Sequence, residues 1–214
     1  MKISLINAGK RFNRDWIFRH VNYEFHKGAS YAITGPNGSG KSTLLQVIGG
    51  AMAISEGNTK YEIRSTKSFD AVQAEVPNEN AFRYISIAAP YLELIEEMTV
   101  TEFLTFHYRF KTILPGFTIK KITEMAGLEN AAHKQIRYYS SGMKQRVKLA
   151  QAIFSDVPGV LLDEPCTNLD TAGIALYNQL INDHCKERLV IVSSNDVQEY
   201  HFCREKIDVM NLKM

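Results

Sequence analysis

Apolar and polar residues alternate over residues 1–7, the period of a strand with one buried face. The alternation returns over 21–25, and Lys27-Gly28 marks a turn before a third strand at 30–34. That strand runs directly into a glycine-rich segment, after which 43–48 reads as a helix. Residues 63–80 are polar and weakly patterned, with Pro77 as a breaker, and predict strand ends, turns and loop. A strand follows at 83–88. Over 99–126 the spacing is helical: Phe103, Leu104, Phe106, His107 and Phe110 recur at threes and fours until Pro115-Gly116 interrupts. A second helix is predicted over 119–126, with Gly127 as its C-cap. The last third predicts a helix at 142–154, a buried strand at 160–162 and a helix at 171–185. A strand at 189–193, a helix at 196–203 and an edge strand at 207–210 complete the pattern. With no repeat, low-complexity tract or long linker, this is an α/β pattern that is compact from end to end.

Composition narrows the picture mainly by exclusion. At 214 residues, 45% hydrophobic and 22% charged, the chain suits one α/β domain or two small subdomains sharing a core. Its net charge of +2 gives no electrostatic reason to expect nucleic acid as a partner. No apolar run approaches the ~20 residues that cross a bilayer. The first residues are too quickly polar to be expected as a secretory signal. Cys166, Cys185 and Cys203 form no CxxC pair and read as reduced thiols of a cytosolic protein.

Candidate chemistry begins in the segment Gly35-Pro36-Asn37-Gly38-Ser39-Gly40-Lys41-Ser42, which with Thr43 opens the helix after the third strand. Glycines let successive backbone N–H groups turn inward around phosphates, and the helix adds its N-terminal dipole. Lys41 supplies a compact positive charge for β- and γ-phosphates, and Ser42 a hydroxyl for Mg²⁺. A strand, a glycine loop and a helix in that order are the context this phosphate motif needs. The second element is Val160-Leu161-Leu162-Asp163-Glu164. It places Asp163 at the carboxyl rim of a parallel sheet to hold Mg²⁺ or its waters, with Glu164 one residue further out to polarise an attacking water.

Between the two stands Tyr139-Ser140-Ser141-Gly142-Met143-Lys144-Gln145-Arg146. With it the chain resembles the nucleotide-binding subunits of ATP-binding cassette (ABC) proteins, whose signature loop is Leu-Ser-Gly-Gly-Gln followed by basic residues. Ser140 and Gly142 match it; Tyr139, Ser141 and Met143 depart, yet a serine hydroxyl and free N–H groups at a helix start still make an anion site. The resemblance covers nearly the whole chain. It implies a P-loop ATPase fold with a mixed or parallel core sheet, an N-terminal antiparallel β subdomain, and a helical subdomain at about 91–141 inserted into a single 1–214 domain. It also implies two cassettes closing head-to-tail on ATP, each using the other's Ser140 and Gly142. Pro165-Cys166-Thr167-Asn168-Leu169-Asp170 looks like the family's D-loop, with Asp170 at the dimer contact. Lys10-Arg11-Phe12 looks like the adenine-stacking segment, with Phe12 as first choice, Trp16 as competitor, and packing under the sheet as the ordinary alternative for either.

Two positions depart from the family's pattern. A glutamine touching Mg²⁺ and the attacking water is usual after the strand at 83–88; counting back from Thr99-Val100 puts Pro90 there, with no polar side chain. A histidine contacting the γ-phosphate is usual after the last core strand; here that place holds Asn195, which donates a hydrogen bond but neither becomes cationic nor relays a proton. Trading a charged for a neutral contact costs ~1–2 kcal/mol in the transition state, roughly five- to thirty-fold in rate. The expectation is a slow but real ATPase.

The resemblance implies the motor subunit of an ABC transporter, cytoplasmic and held to the inner face of the membrane by a separate permease. The segment Tyr91-Leu92-Glu93-Leu94-Ile95-Glu96-Glu97 suits a docking groove for a permease helix, or equally the core of the helical subdomain. The alternatives are a weakly or non-hydrolysing cassette paired with a competent one, and a soluble ABC ATPase acting on macromolecules.

Overall fold

The protein is described by a computed structural model that covers residues 1–64 and 73–213. In chain order, β1 (Lys2–Phe12) and β2 (Asp15–His26) form a long hairpin, and β3 (Ser30–Thr34) leads into α1 (Lys41–Ile48). Next come β4 (Glu56–Arg64), β5 (Gln73–Val76), β6 (Ile85–Ala88), α2 (Val100–His107) and α3 (Ile119–Met125). The C-terminal part holds α4 (Ser141–Ile153), β7 (Gly159–Asp163), α5 (Thr171–His184), β8 (Leu189–Ser193), α6 (Val197–Tyr200) and β9 (Glu205–Asp208).

Two sheets result. One is antiparallel, in the order β2-β1-β4-β5; the other runs β6-β7-β8-β3-β9 with every pairing parallel. The parallel sheet is buried on both faces, as continuous runs such as Leu189-Val190-Ile191-Val192 require. Val160, Leu162, Val190 and Val192 face α4 and α5, and the same core takes in Phe103 and Leu104 of α2. Leu161, Leu189 and Ile191 face the other way, toward α1 and the antiparallel sheet. Each such side chain contributes roughly 1.5–3 kcal/mol on burial. The chain is therefore an α/β P-loop fold whose functional rim is the carboxyl edge of β3, β7 and β8. Asp163 lies opposite Ser193 there, and Ser193 opposite Ile33.

Several elements differ from the pattern read in the sequence. The stretch at 63–80 was expected as strand ends and loop; its residues 65–72 lie outside the described ones, and on either side β4 and β5 pair antiparallel. The body of β4 escapes hydropathy because its buried positions include Thr59 and Tyr61 rather than aliphatic residues. α2 starts at a capping box, Thr99 with Glu102, but ends at His107. Beyond it the chain is drawn alongside the end of α4, where Leu114 N donates to Phe154 O, so Phe110 stays 73% exposed. The predicted helix at 196–203 is cut to four residues because the chain must turn back to pair β9 with β3, Arg204 N already donating to Ser30 O. The edge strand comes earlier than 207–210, since the Asp208 side chain caps a 3-10 turn by accepting from Met210 N.

Four residues past the end of α2, Lys111 donates to Ile85 O of β6 at 2.5 Å, and burial pulls its ammonium down to about 8. Between that value and the ordinary 10.5 the unfolded chain holds a proton that the folded chain does not. Stability should therefore climb as pH rises through this window, by on the order of 3 kcal/mol at most. Urea unfolding of wild type and Lys111→Met at pH 7.5 and 9.5 checks this: the rise should vanish in the variant.

Candidate functional site

The loop after β3 is built by glycines in conformations that other residues avoid. Gly35, Gly38 and Gly40 have φ of +140°, +76° and +107°. At Gly40 space is also lacking, because a Cβ would run into the Ile17 side chain. Gly40 N-caps α1 without any side-chain cap, and no acidic residue stands in the first turn. The helix therefore presents uncapped N–H groups and its positive dipole end to the loop. Lys41 is 5% exposed, and its Nζ donates to Gly35 O at 2.9 Å and Pro36 O at 3.3 Å. The ammonium is thus held inside the loop that it would share with a phosphate chain.

Glu164 lines the same cleft as Asn37, Gly38, Lys41, Ser42 and Thr43. Its backbone sits at φ +43°, a left-handed conformation for a non-glycine residue. A bond from Glu164 N to Ser193 O (2.9 Å) holds it there at the end of β7. Asp163 beside it is 2% exposed. Three buried oxygens at this rim, Ser39 Oγ, Asp163 Oδ1 and Ser193 Oγ, have no hydrogen-bond partner. Orphaned buried polar atoms cost roughly 1–3 kcal/mol each, so a group of them at a glycine loop marks a place built for a polar ligand. The donor set fits Mg²⁺, a hard cation that takes a carboxylate and a hydroxyl and keeps water or phosphate oxygens for its other positions. Among the described residues no group of three or more His, Cys, Asp or Glu could hold a metal without such help.

Asn195 reaches this cleft too: its Nδ2 donates to Asn37 Oδ1 at 3.0 Å, tying the loop after β8 to the glycine loop. Pro90 offers only its carbonyl, which accepts from Lys148 Nζ at 2.8 Å. Tyr91, the residue after it, lies near enough to Gln46, one turn beyond Ser42 on α1, for that side chain to act on its phenol. Burial and the Asp163 charge raise its phenol to about 12, with Gln46 working against them. Ile17 was missed in the sequence; it brings the β1–β2 hairpin down to the glycine loop. Phe12 ends β1, is 46% exposed and has Lys10 Nζ 5.0 Å from its ring centre. Trp16 carries the Arg19 guanidinium 4.4 Å from its ring.

Ser140 and Gly142 do not line the cleft of their own chain's glycine loop. Ser140 N-caps α4, its Oγ accepting from Met143 N at 3.2 Å. Gly142 lies so close to Asn168 O that a Cβ there would stand 2.8 Å from it. Asp170 caps α5 through Gly173 N at 2.8 Å and pairs with Arg146 at 3.5 Å. In the 91–97 segment Leu94 packs against the core, and Glu96 and Glu97 pair with Lys144 and Arg137.

Comparison with known proteins agrees with this architecture. A family model described as ABC transporter matches residues 18–167. The chain is 30% identical over 197 residues to the cytochrome c biogenesis ATP-binding export protein CcmA of Agrobacterium fabrum, covering 91% of this chain and 88% of that one. It is 29% identical over 211 residues to the ABC transporter ATP-binding protein YxlF of Bacillus subtilis, covering 97% of this chain and 67% of that one. Among solved structures it superposes with TM-score 0.76 and 26% identity on an ATP-binding cassette determined as a dimer in a post-hydrolysis state with ADP and Pi. The match covers 96% of this chain and 93% of that one.

Proposed function

This chain belongs to the ABC transporter family as one of its ATP-binding cassettes, and from that premise we propose that it is the ATP-hydrolysing motor subunit of a transporter, closing as a dimer on two ATP molecules and driving a separate membrane permease. The observation that supports this most directly is the division of the site. Lys41, Glu164 and Asn195 converge on one cleft, whereas Ser140 and Gly142 stand on α4 away from it. A second phosphate-binding helix start that its own chain does not use is what a head-to-tail dimer requires. No helix among the described residues is long and apolar enough to cross a membrane. In this proposal the membrane-spanning part is the separate permease, which would hold this chain against the inner face of the membrane.

In this reading the backbone N–H groups from Gly38 to Thr43 and the Lys41 ammonium bind the phosphates. Phe12 stacks on adenine, and Asp170 stands at the dimer contact. Ser42 and Asp163 would hold Mg²⁺, which supplies neutralisation of phosphate charge when bound. Glu164 orients and accepts a proton from the attacking water, and Asn195 donates to the terminal phosphate. Tyr91, next to Pro90, carries a phenol that feels the Asp163 charge.

Ser140→Asp tests the dimer. Aspartate caps a helix as well as serine does, so α4 should survive, but its charge would repel the partner's ATP. Sedimentation of Glu164→Gln protein should show an ATP-dependent dimer at micromolar concentration, weakened at least ten-fold by adding Ser140→Asp with nucleotide binding kept. A Glu164→Gln protein that binds ATP yet stays monomeric would sink the proposal.

A further inference from the structure

Glu199 is a carboxylate that no motif singled out, 4% exposed in the middle of α6. One of its oxygens accepts from Cys166 N at 2.6 Å, two residues beyond Glu164. The Ser194 hydroxyl, immediately before Asn195, acts on the same carboxylate and works against the rise in its pKa. That serine also accepts from Asp196 N at 2.9 Å, just after Asn195. From behind, the Tyr177 hydroxyl on α5 donates to the Glu199 carbonyl at 2.8 Å, fixing α6 in place.

The loops that carry Glu164 and Asn195 are thereby joined twice. A backbone bond from Glu164 N to Ser193 O ties them at the ends of β7 and β8, and Glu199 ties them again further out. The second tie matters because Glu164 sits at φ +43°, a conformation that persists only where the surroundings enforce it. Burying a carboxylate is unfavourable in itself, and here burial raises its pKa, with the Asp196 and Glu164 charges adding to the rise. Such a group is compensated through the hydrogen bond it accepts, and this comes from the loop that carries Glu164.

We propose that Glu199 is a positioning residue for ATP hydrolysis: by accepting from Cys166 N–H while standing on the α6 that continues from Asn195, it fixes Glu164 and Asn195 relative to each other over the same terminal phosphate. This rests on the ATPase reading above. Glu199 does not line the cleft of the glycine loop; it acts through the two loops.

The test compares Glu199→Ala with Glu199→Gln, whose amide can still accept from Cys166 N and donate toward Ser194. Turnover is measured per ATP-binding site, counted by titration with a fluorescent ATP analogue, so that misfolded protein does not enter the rate. Expected is a loss of kcat of ten-fold or more in Glu199→Ala with KM for ATP within two-fold of wild type, and recovery of most of that loss in Glu199→Gln. A kcat per site in Glu199→Ala within two-fold of wild type overturns the proposal. Hydrogen–deuterium exchange over 164–168 gives a readout independent of turnover. Exchange should quicken ten-fold or more in the alanine variant and stay slow in the glutamine variant; unchanged exchange overturns the tie between the loops. A wild type that binds ATP without turning it over defeats the ATPase reading and this proposal's catalytic claim with it, whereas normal wild-type turnover with an indifferent alanine variant defeats the proposal alone.

Discussion

Lys41→Ala should weaken ATP binding by about ten- to a hundred-fold at constant ionic strength. The ammonium is nine-tenths or more buried within the glycine loop, where water screens it poorly. A charge-assisted hydrogen bond of this kind contributes roughly 1.5–3 kcal/mol, and each 1.4 kcal/mol is a factor of ten in affinity. The lower end is set by what Lys41 does without a ligand. Its Nζ bonds Gly35 O and Pro36 O, and binding must exchange at least part of those contacts for phosphate oxygens. The same bonds mean that the substitution also costs folding stability, since two carbonyls lose a donor. Titration with a fluorescent ATP analogue, restricted to protein that unfolds cooperatively, separates the two effects. Arginine at this position is not a mild control: its planar fork does not fit a loop closed around a compact ammonium. A dissociation constant that stays within two-fold of wild type in Lys41→Ala would mean that the loop does not grip phosphates as proposed.

How much of this was legible in the sequence depends on whether the chemistry fixes residue identity. The glycine loop was legible because left-handed backbone at Gly38 and Gly40 admits few other residues. The ends of β3 and β8 were read to the residue, since a fully buried parallel strand is an unbroken apolar run bounded by polar ends. β4 was not legible: one of its inward positions is Thr59, and hydropathy does not see a buried threonine as core. The site shows the same division. Counting along the chain led to Pro90 and passed over Tyr91, whose phenol feels the Asp163 charge only because of how the backbone turns after β6. Ile17 and Glu199 were invisible for a related reason. Each meets a loop distant from it in the chain, Ile17 the glycine loop and Glu199 the loop after β7, and only the packing of the hairpin and of α6 brings it there.

Glu164→Gln should lower kcat by about 10²–10⁴-fold, the range a positioned general base supplies, and leave ATP affinity within two-fold. Glutamine keeps the volume and can still bond a water, but it does not take a proton at neutral pH. Its backbone would keep the bond to Ser193 O, so the φ of +43° is not released by the change. The loss is therefore chemical rather than conformational. Asn195→His supplies the opposite arm of the same measurement. Asn195 is already held at the glycine loop by its bond to Asn37, so an imidazole placed there starts from the right neighbourhood. In gaining a group able to carry charge toward the terminal phosphate, it should speed turnover roughly five- to thirty-fold, about 1–2 kcal/mol of transition-state stabilisation. Single-turnover hydrolysis, with protein in excess over radiolabelled ATP, reads both changes without interference from product release. The two are coupled through their physical cause. An activating Asn195→His has an effect only while Glu164 still prepares the water, so the double variant should be as slow as Glu164→Gln alone. If the double variant instead kept the gain, the histidine would be acting as a base in its own right, and Glu164 would lose the role assigned to it.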